Sequence, residues 1–196
     1  MKFESVSTAH DGRSGLARRD FLKVVAGFSL ALSAAGALGT LAGCAPALKS
    51  PAKGYAFLQE ADLALFSALA PAVIADLAQL ETGQRDPRIG EVLSNLDATL
   101  AAMGLLAQQE VRKLLDLLAL APLRYLLTGV GAWAEASIET LQTFLARWRG
   151  SRFATLNAGV NVLVKLICAS YYVQPVSWPA AGYPGPLARV FTAVNS

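Results

Sequence analysis

A chain of 196 residues has room for one ordinary domain together with a targeting segment. Its residues are 54% hydrophobic and only 16% charged, which is apolar for a soluble protein. Of the basic excess, much belongs to residues 1–43, where five basic side chains stand against three acidic ones; residues 44–196 carry twelve against eleven, and so neutral a domain argues against nucleic acid as a partner.

The N-terminal segment reads as a leader. Ala17-Arg18-Arg19-Asp20-Phe21-Leu22-Lys23 matches the twin-arginine export motif at Arg18, Arg19, Phe21, Leu22 and Lys23, with Ala17 where Ser or Thr is usual. The twenty residues Val24 to Gly43 carry no charge and are diluted by glycine and serine, as twin-arginine leaders are. Leu41-Ala42-Gly43-Cys44 then resembles a bacterial lipobox, which makes Cys44 the expected site of lipidation and the new N-terminus. A transmembrane helix over residues 24–43 is the competing reading, because twenty apolar residues just reach bilayer thickness. The glycines and the terminal lipobox weigh against it. The expected division is residues 1–43 as signal peptide, 44–56 as a lipidated tether and 57–196 as a helical domain. Ala45 stands where an aspartate would suggest inner-membrane retention. The expected location is therefore periplasmic, on the inner leaflet of the outer membrane.

Beyond the tether the apolar residues recur at three and four, the period of an amphipathic helix. Leu58, Asp62, Leu65, Phe66 and Leu69 open the first helix, which Pro71 should kink or restart. Glu81 to Pro87 reads as a polar loop. A second helix follows on Ile89, Val92, Leu93, Leu96, Leu100 and Met103, and a third from about Ala107 on Val111, Leu114, Leu115 and Leu118, stopping before Pro122. Thr128-Gly129 reads as a turn, as does the isolated glycine pair of Gly129-Val130-Gly131. Ser137 is the expected N-cap of a helix carrying Ile138, Leu141, Leu145 and Trp148, with Gly150 as its end. The last long helix should span about Arg152 to Tyr172. Gln174 to Pro186, rich in proline and glycine, cannot continue it and suits an extended, turn-rich strap with Trp178 and Tyr183 as anchors. That strap either packs on its own bundle, the reading we favour, or docks its aromatics into a second protein. The expected fold class is all-α, a compact bundle of five to six helices with an extended C-terminal segment.

The residues for independent chemistry are missing. The single histidine, His10, lies in the leader, so the domain has no histidine general base or metal ligand. With only Cys44 and Cys168, cysteine clusters for zinc, iron–sulfur or haem are excluded. Neither a dinucleotide fingerprint nor a P-loop occurs. Glu60 with Asp62 or Glu135 with Glu139 could pair, but carboxylates four apart on a helix usually form a solvated face. Arg147, Arg149 and Arg152 cluster around Trp148 and could meet lipid headgroups or an acidic surface, although a solvated face is the simpler account. Cys168 reads as a small buried hydrophobe. No catalytic residue, resident cofactor or metal is expected.

A twin-arginine leader before a small helical domain that ends in Tyr171-Tyr172, Pro175, Ser177-Trp178 and Gly182-Tyr183-Pro184-Gly185-Pro186 resembles the gluconate 2-dehydrogenase subunit 3 family. The likeness extends loosely over the mature chain, including Trp133 and residues 144–148, but only the leader and the final segment are specific. The resemblance implies a non-catalytic small subunit that escorts an FAD-binding large subunit of the glucose–methanol–choline type through export. It also implies a partner interface at Tyr171, Tyr172, Trp178, Tyr183, Pro184, Gly185 and Pro186. The lipobox departs from the family pattern and would add a membrane anchor at Cys44. Electrons would then pass from the partner flavin to a cytochrome or quinone. The alternative is a freestanding lipoprotein whose bundle binds a small apolar ligand.

Overall fold

The computed structural model describes residues 50–185, so Arg18, Arg19, Phe21, Leu22, Lys23, Cys44 and Pro186 lie outside the described residues. Within them the chain is all-α, with seven α-helices, two 3-10 turns and no strand. The helices are α1 (Glu60–Val73), α2 (Ala75–Gln79), α3 (Thr82–Ala101), α4 (Leu105–Ala119), α5 (Ala121–Thr128), α6 (Ile138–Arg149) and α7 (Ala154–Tyr172). The 3-10 turns are Trp133–Glu135 and Pro175–Ser177.

α1 is the central element, packing on α2, α3, α4, α6 and α7, while α7 lies against α3 and α6. Its apolar stripe of Leu65, Phe66 and Leu69 is at most 1% exposed and meets Leu96 and Leu100 of α3, Leu115 and Leu118 of α4, and Val160, Leu163 and Ile167 of α7 in one core. Burial of side chains this size stabilises each by about 1.5–3 kcal/mol relative to exposure, which makes this cluster the main driving force for folding. α7 is long and apolar enough to cross a bilayer by length and composition, yet its Val160, Leu163 and Ile167 face is fully buried in the bundle.

Pro71 acts as a stop with a restart. α1 ends two residues beyond it, the amide of Ile74 still reaches the Ala70 carbonyl at 2.9 Å, and the short α2 resumes at Ala75. Residues 82–87 are helical, against the expected polar loop, with Glu81 as the extended N-cap. The amides of Gln84 and Arg85 bond the Glu81 carbonyl at 3.0 and 2.8 Å, so α3 is already nucleated before Pro87. Pro87 withholds one donor from the carbonyl of Gly83, but both residues are exposed and water can take its place. Between the third helix and the turn at Thr128-Gly129 lies a further helix, α5, which Leu120 separates from α4 with an extended backbone and which accepts Pro122 in its first turn. At α6 the Ser137 hydroxyl accepts from the Thr140 amide at 3.2 Å and Gly150 caps the other end, as the sequence predicts.

Two buried carboxylates tie the start of the domain to this bundle. Asp97 on α3 accepts hydrogen bonds from three successive amides, Ala56 at 2.8 Å, Phe57 at 2.9 Å and Leu58 at 2.8 Å. Asp62 on α1 accepts both terminal nitrogens of Arg112 on α4, each at 2.7 Å, and the amide of Gln59 at 2.8 Å. Burial works against the Arg112 charge, but Asp62 and then Asp116 outweigh it and hold the guanidinium above its ordinary value. The segment before α1 is therefore clamped by ionised hydrogen bonds, which are stronger than neutral ones.

Candidate functional site

The C-terminal segment is turn-rich and packs back on its own bundle, as a cap on the end of α7 more compact than an extended strap. The Pro175–Ser177 turn is followed by a bend that closes when the Tyr183 amide bonds the Trp178 carbonyl at 2.9 Å. Trp178 is half-buried, and its indole nitrogen donates to the Tyr172 carbonyl at 3.2 Å. The Tyr183 ring meets the indole edge-on, with centroids 5.2 Å apart and planes at 73°. Gly185, at a φ of +91°, passes so close that a Cβ there would lie 3.0 Å from the Trp178 ring. A side chain at Gly185 would therefore strain the backbone and make the indole give by a few tenths of an ångström.

The residues of the tail motif divide by burial. Tyr171 is 5% exposed, and its hydroxyl donates to Asp76 on α2 at 3.3 Å. Burial, and then the Asp76 carboxylate, push its phenol pKa up. Ser177 is buried and donates to the Gln174 carbonyl at 2.7 Å. These groups support the cap from below. Tyr172, Val173, Val176 and Tyr183 are between 44% and 62% exposed and form its outer surface. Pro184 is exposed beside them. Such a cluster of aromatic and branched side chains, held by a rigid base, is the composition of a protein-docking surface.

Elsewhere the candidate groups have structural partners or face water. Glu60 is exposed and Asp62 is committed to Arg112, so the two do not act together. Glu135 and Glu139 are exposed; Glu139 is held below its ordinary value by its own backbone amide and by the Ser137 hydroxyl. Trp148 is 1% exposed and donates to the Leu127 carbonyl at 2.9 Å, a bond shared with Arg147 at 2.7 Å. Gly129 has a φ of 77° and ends α5, as the turn reading requires. Among the described residues no three His, Cys, Asp or Glu side chains are placed to hold a metal. A groove of about 360 Å³ lies between α5 and α6, lined by Glu139, Thr140, Thr143 and Arg147 among others. A second, of about 270 Å³, runs past Gln142, Arg149 and Cys168. Both are open and partly polar, unlike the closed apolar pocket a lipid-like ligand would occupy.

Cys168 is half-buried, and desolvation pushes its thiol up, with Arg149 opposing only in part. Since the thiolate is the nucleophile, the whole pH profile of its alkylation moves upward. At pH 8 iodoacetamide should label it roughly several-fold more slowly than a free cysteine peptide. Labelling as fast as the peptide would mean that the side chain is open to solvent.

Comparison with protein-family models, with curated proteins and with solved structures finds no match to this chain, so the resemblance of its leader and tail rests on those motifs alone.

Proposed function

We propose that this chain is a non-catalytic accessory subunit that escorts an FAD-dependent, glucose–methanol–choline-type dehydrogenase through twin-arginine export and anchors it to the membrane. The observation that carries the reading is the C-terminal cap. Its exposed Tyr172, Val173, Val176 and Tyr183 occupy the segment in which the sequence resembles the subunit 3 family. The twin-arginine motif supports the escort role, because that route moves proteins already folded and the leader can carry a partner with none. The lipobox supports an anchor at Cys44 in the periplasm, on the inner leaflet of the outer membrane. FAD belongs to the partner in this reading, and electrons leave it for a cytochrome or quinone outside this chain. The buried carboxylate clamps at Asp62 and Asp97 suit an anchor, since they fasten the tether end to the core.

Capture of the chain from native membranes in mild detergent should bring down a larger, flavin-containing polypeptide in stoichiometric amount. Changing Tyr172 and Tyr183 together to alanine should weaken that capture by roughly ten-fold or more, as loss of aromatic anchors does. Helical circular dichroism should stay unchanged, because both rings are about half exposed and neither belongs to the core cluster. A colourless, solitary chain under several gentle conditions overturns the proposal and revives the ligand-binding lipoprotein.

A further inference from the structure

α5 leaves its apolar residues outside the bundle. Only Thr128 of its eight residues is buried, whereas Leu123, Tyr125 and Leu126 are 37%, 66% and 76% exposed and the preceding Leu120 is 54% exposed. A surface helix ordinarily turns such a stripe inward, and an outward one marks a contact surface. The shared bonds from Arg147 and Trp148 to the Leu127 carbonyl seat the end of α5 on the last turn of α6. The turn that follows adds Arg152 and Phe153, the latter 58% exposed with the Arg152 guanidinium 5.1 Å from its ring centre, and Arg149 ends α6 at the edge of the neighbouring groove that Cys168 lines. None of Arg147, Arg149 and Arg152 is in an ion pair among the described residues. The surrounding sequence is basic, with five basic side chains and no acidic one from Thr140 to Ser196, and exposed Glu139 is the acidic group that shares the α5–α6 groove with Arg147.

We propose that α5 and the neighbouring α6–α7 turn dock on an anionic lipid bilayer. Exposed Leu, Tyr and Phe beside arginines fit the boundary between headgroups and acyl chains, where apolar tips enter and guanidiniums meet phosphate. Long arginine stems can lie along the apolar layer while their heads stay at the headgroups. The inference rests on the lipid anchor at Cys44. The six peptide units between Cys44 and Ser50 reach about 20 Å at most, so an anchored domain stays against the bilayer and its basic, apolar side is drawn to it. The cap with Tyr172 and Tyr183 is a separate surface and remains free for the dehydrogenase.

The test uses the full chain, acylated in cells, in a Cys168→Ala background. A polarity-sensitive label is attached at Leu126→Cys or, as the control, at Glu91→Cys on exposed α3. Each protein is floated with vesicles of phosphatidylethanolamine and phosphatidylglycerol containing a nitroxide lipid. The label at 126 should shift to the blue and be quenched at least about two-fold more than the label at 91. Replacing phosphatidylglycerol by phosphatidylcholine, or Arg149 and Arg152 by glutamine, should remove roughly half of that excess. Equal, solvent-like emission at both positions in a chain that floats overturns the docking face and leaves the anchor standing. A chain that does not float overturns the anchor, and the docking proposal with it. A label at 126 that is wet on vesicles and shielded only when the larger chain is present assigns the face to the protein partner and also overturns the proposal.

Discussion

Replacing Arg112 by alanine should lower the unfolding free energy by about 3–5 kcal/mol, because it leaves a buried carboxylate without its counter-ion. Asp62 is 1% exposed, and it loses two charged hydrogen bonds of 2.7 Å while keeping only the Gln59 amide. Asp116, the second partner of Arg112 at 3.0 Å, is exposed on the same helix, and its bond is worth about 0.3–0.5 kcal/mol. The two carboxylates thus contribute very unequally. The pair need not be a net stabiliser. Changing Asp62 to leucine and Arg112 to methionine together should restore most of the loss, since neither charge then has to be desolvated. Urea unfolding of the three variants would decide it. An Arg112→Ala loss below about 1 kcal/mol would mean that water reaches Asp62 and that the clamp is a surface feature.

Trp148→Ala should be as severe, at about 3–5 kcal/mol and a fall in Tm of about 10–20 °C. The indole packs edge-on against Phe144, with centroids 4.9 Å apart, and holds the end of α5 through the Leu127 carbonyl. It also fills the space that Gly159 leaves on α7: a Cβ at 159 would stand 3.0 Å from the Trp148 ring and 3.5 Å from Leu114. Gly159→Ala in the native background should therefore cost about 1–3 kcal/mol by overpacking. In a Trp148→Ala background the same alanine should cost nothing or stabilise, because the ring is gone and alanine is the better helix former. Additive effects would show that α6 and α7 do not meet through this contact.

The lost indole has a second consequence. Without the indole the Leu127 carbonyl keeps only its bond from Arg147, so the end of α5 and its exposed Leu123, Tyr125 and Leu126 are held less firmly beside the α6–α7 turn. A core substitution should thus weaken the bilayer contact proposed for that face without touching the C-terminal cap. The two surfaces are supported by different parts of the core, α5 and α6 for one and α7 with Asp76 for the other.

Local signals alone determined much of this protein. The period of three and four pointed to an all-α fold and named core positions such as Leu65, Phe66, Leu96, Leu100, Leu115 and Leu118, since a helix must bury one stripe. Ser137 and Gly150 marked the ends of α6, because a cap is made within four residues. The runs read as an export motif at Arg18-Arg19 and a lipobox at Cys44 are likewise contiguous, so that expectation needs no fold. Tertiary structure decided what depends on groups far apart in the chain. Asp62 and Arg112 are 50 residues apart and Asp97 is about 40 from the amides it holds, so although the period put Asp62 on the apolar stripe, nothing local named its partner or set Asp97 apart from a solvated charge. Residues 82–87 could be helical because solvent reaches them, and α5 could form although it buries almost nothing of its own. The tail aromatics were legible as anchors, but Trp178 turned to its own α7 while Tyr183 stayed outside. The physical reason is common to all of these. Helix formation and capping are satisfied by neighbours in sequence, whereas desolvating a charge or covering a ring takes partners that only the folded chain brings together.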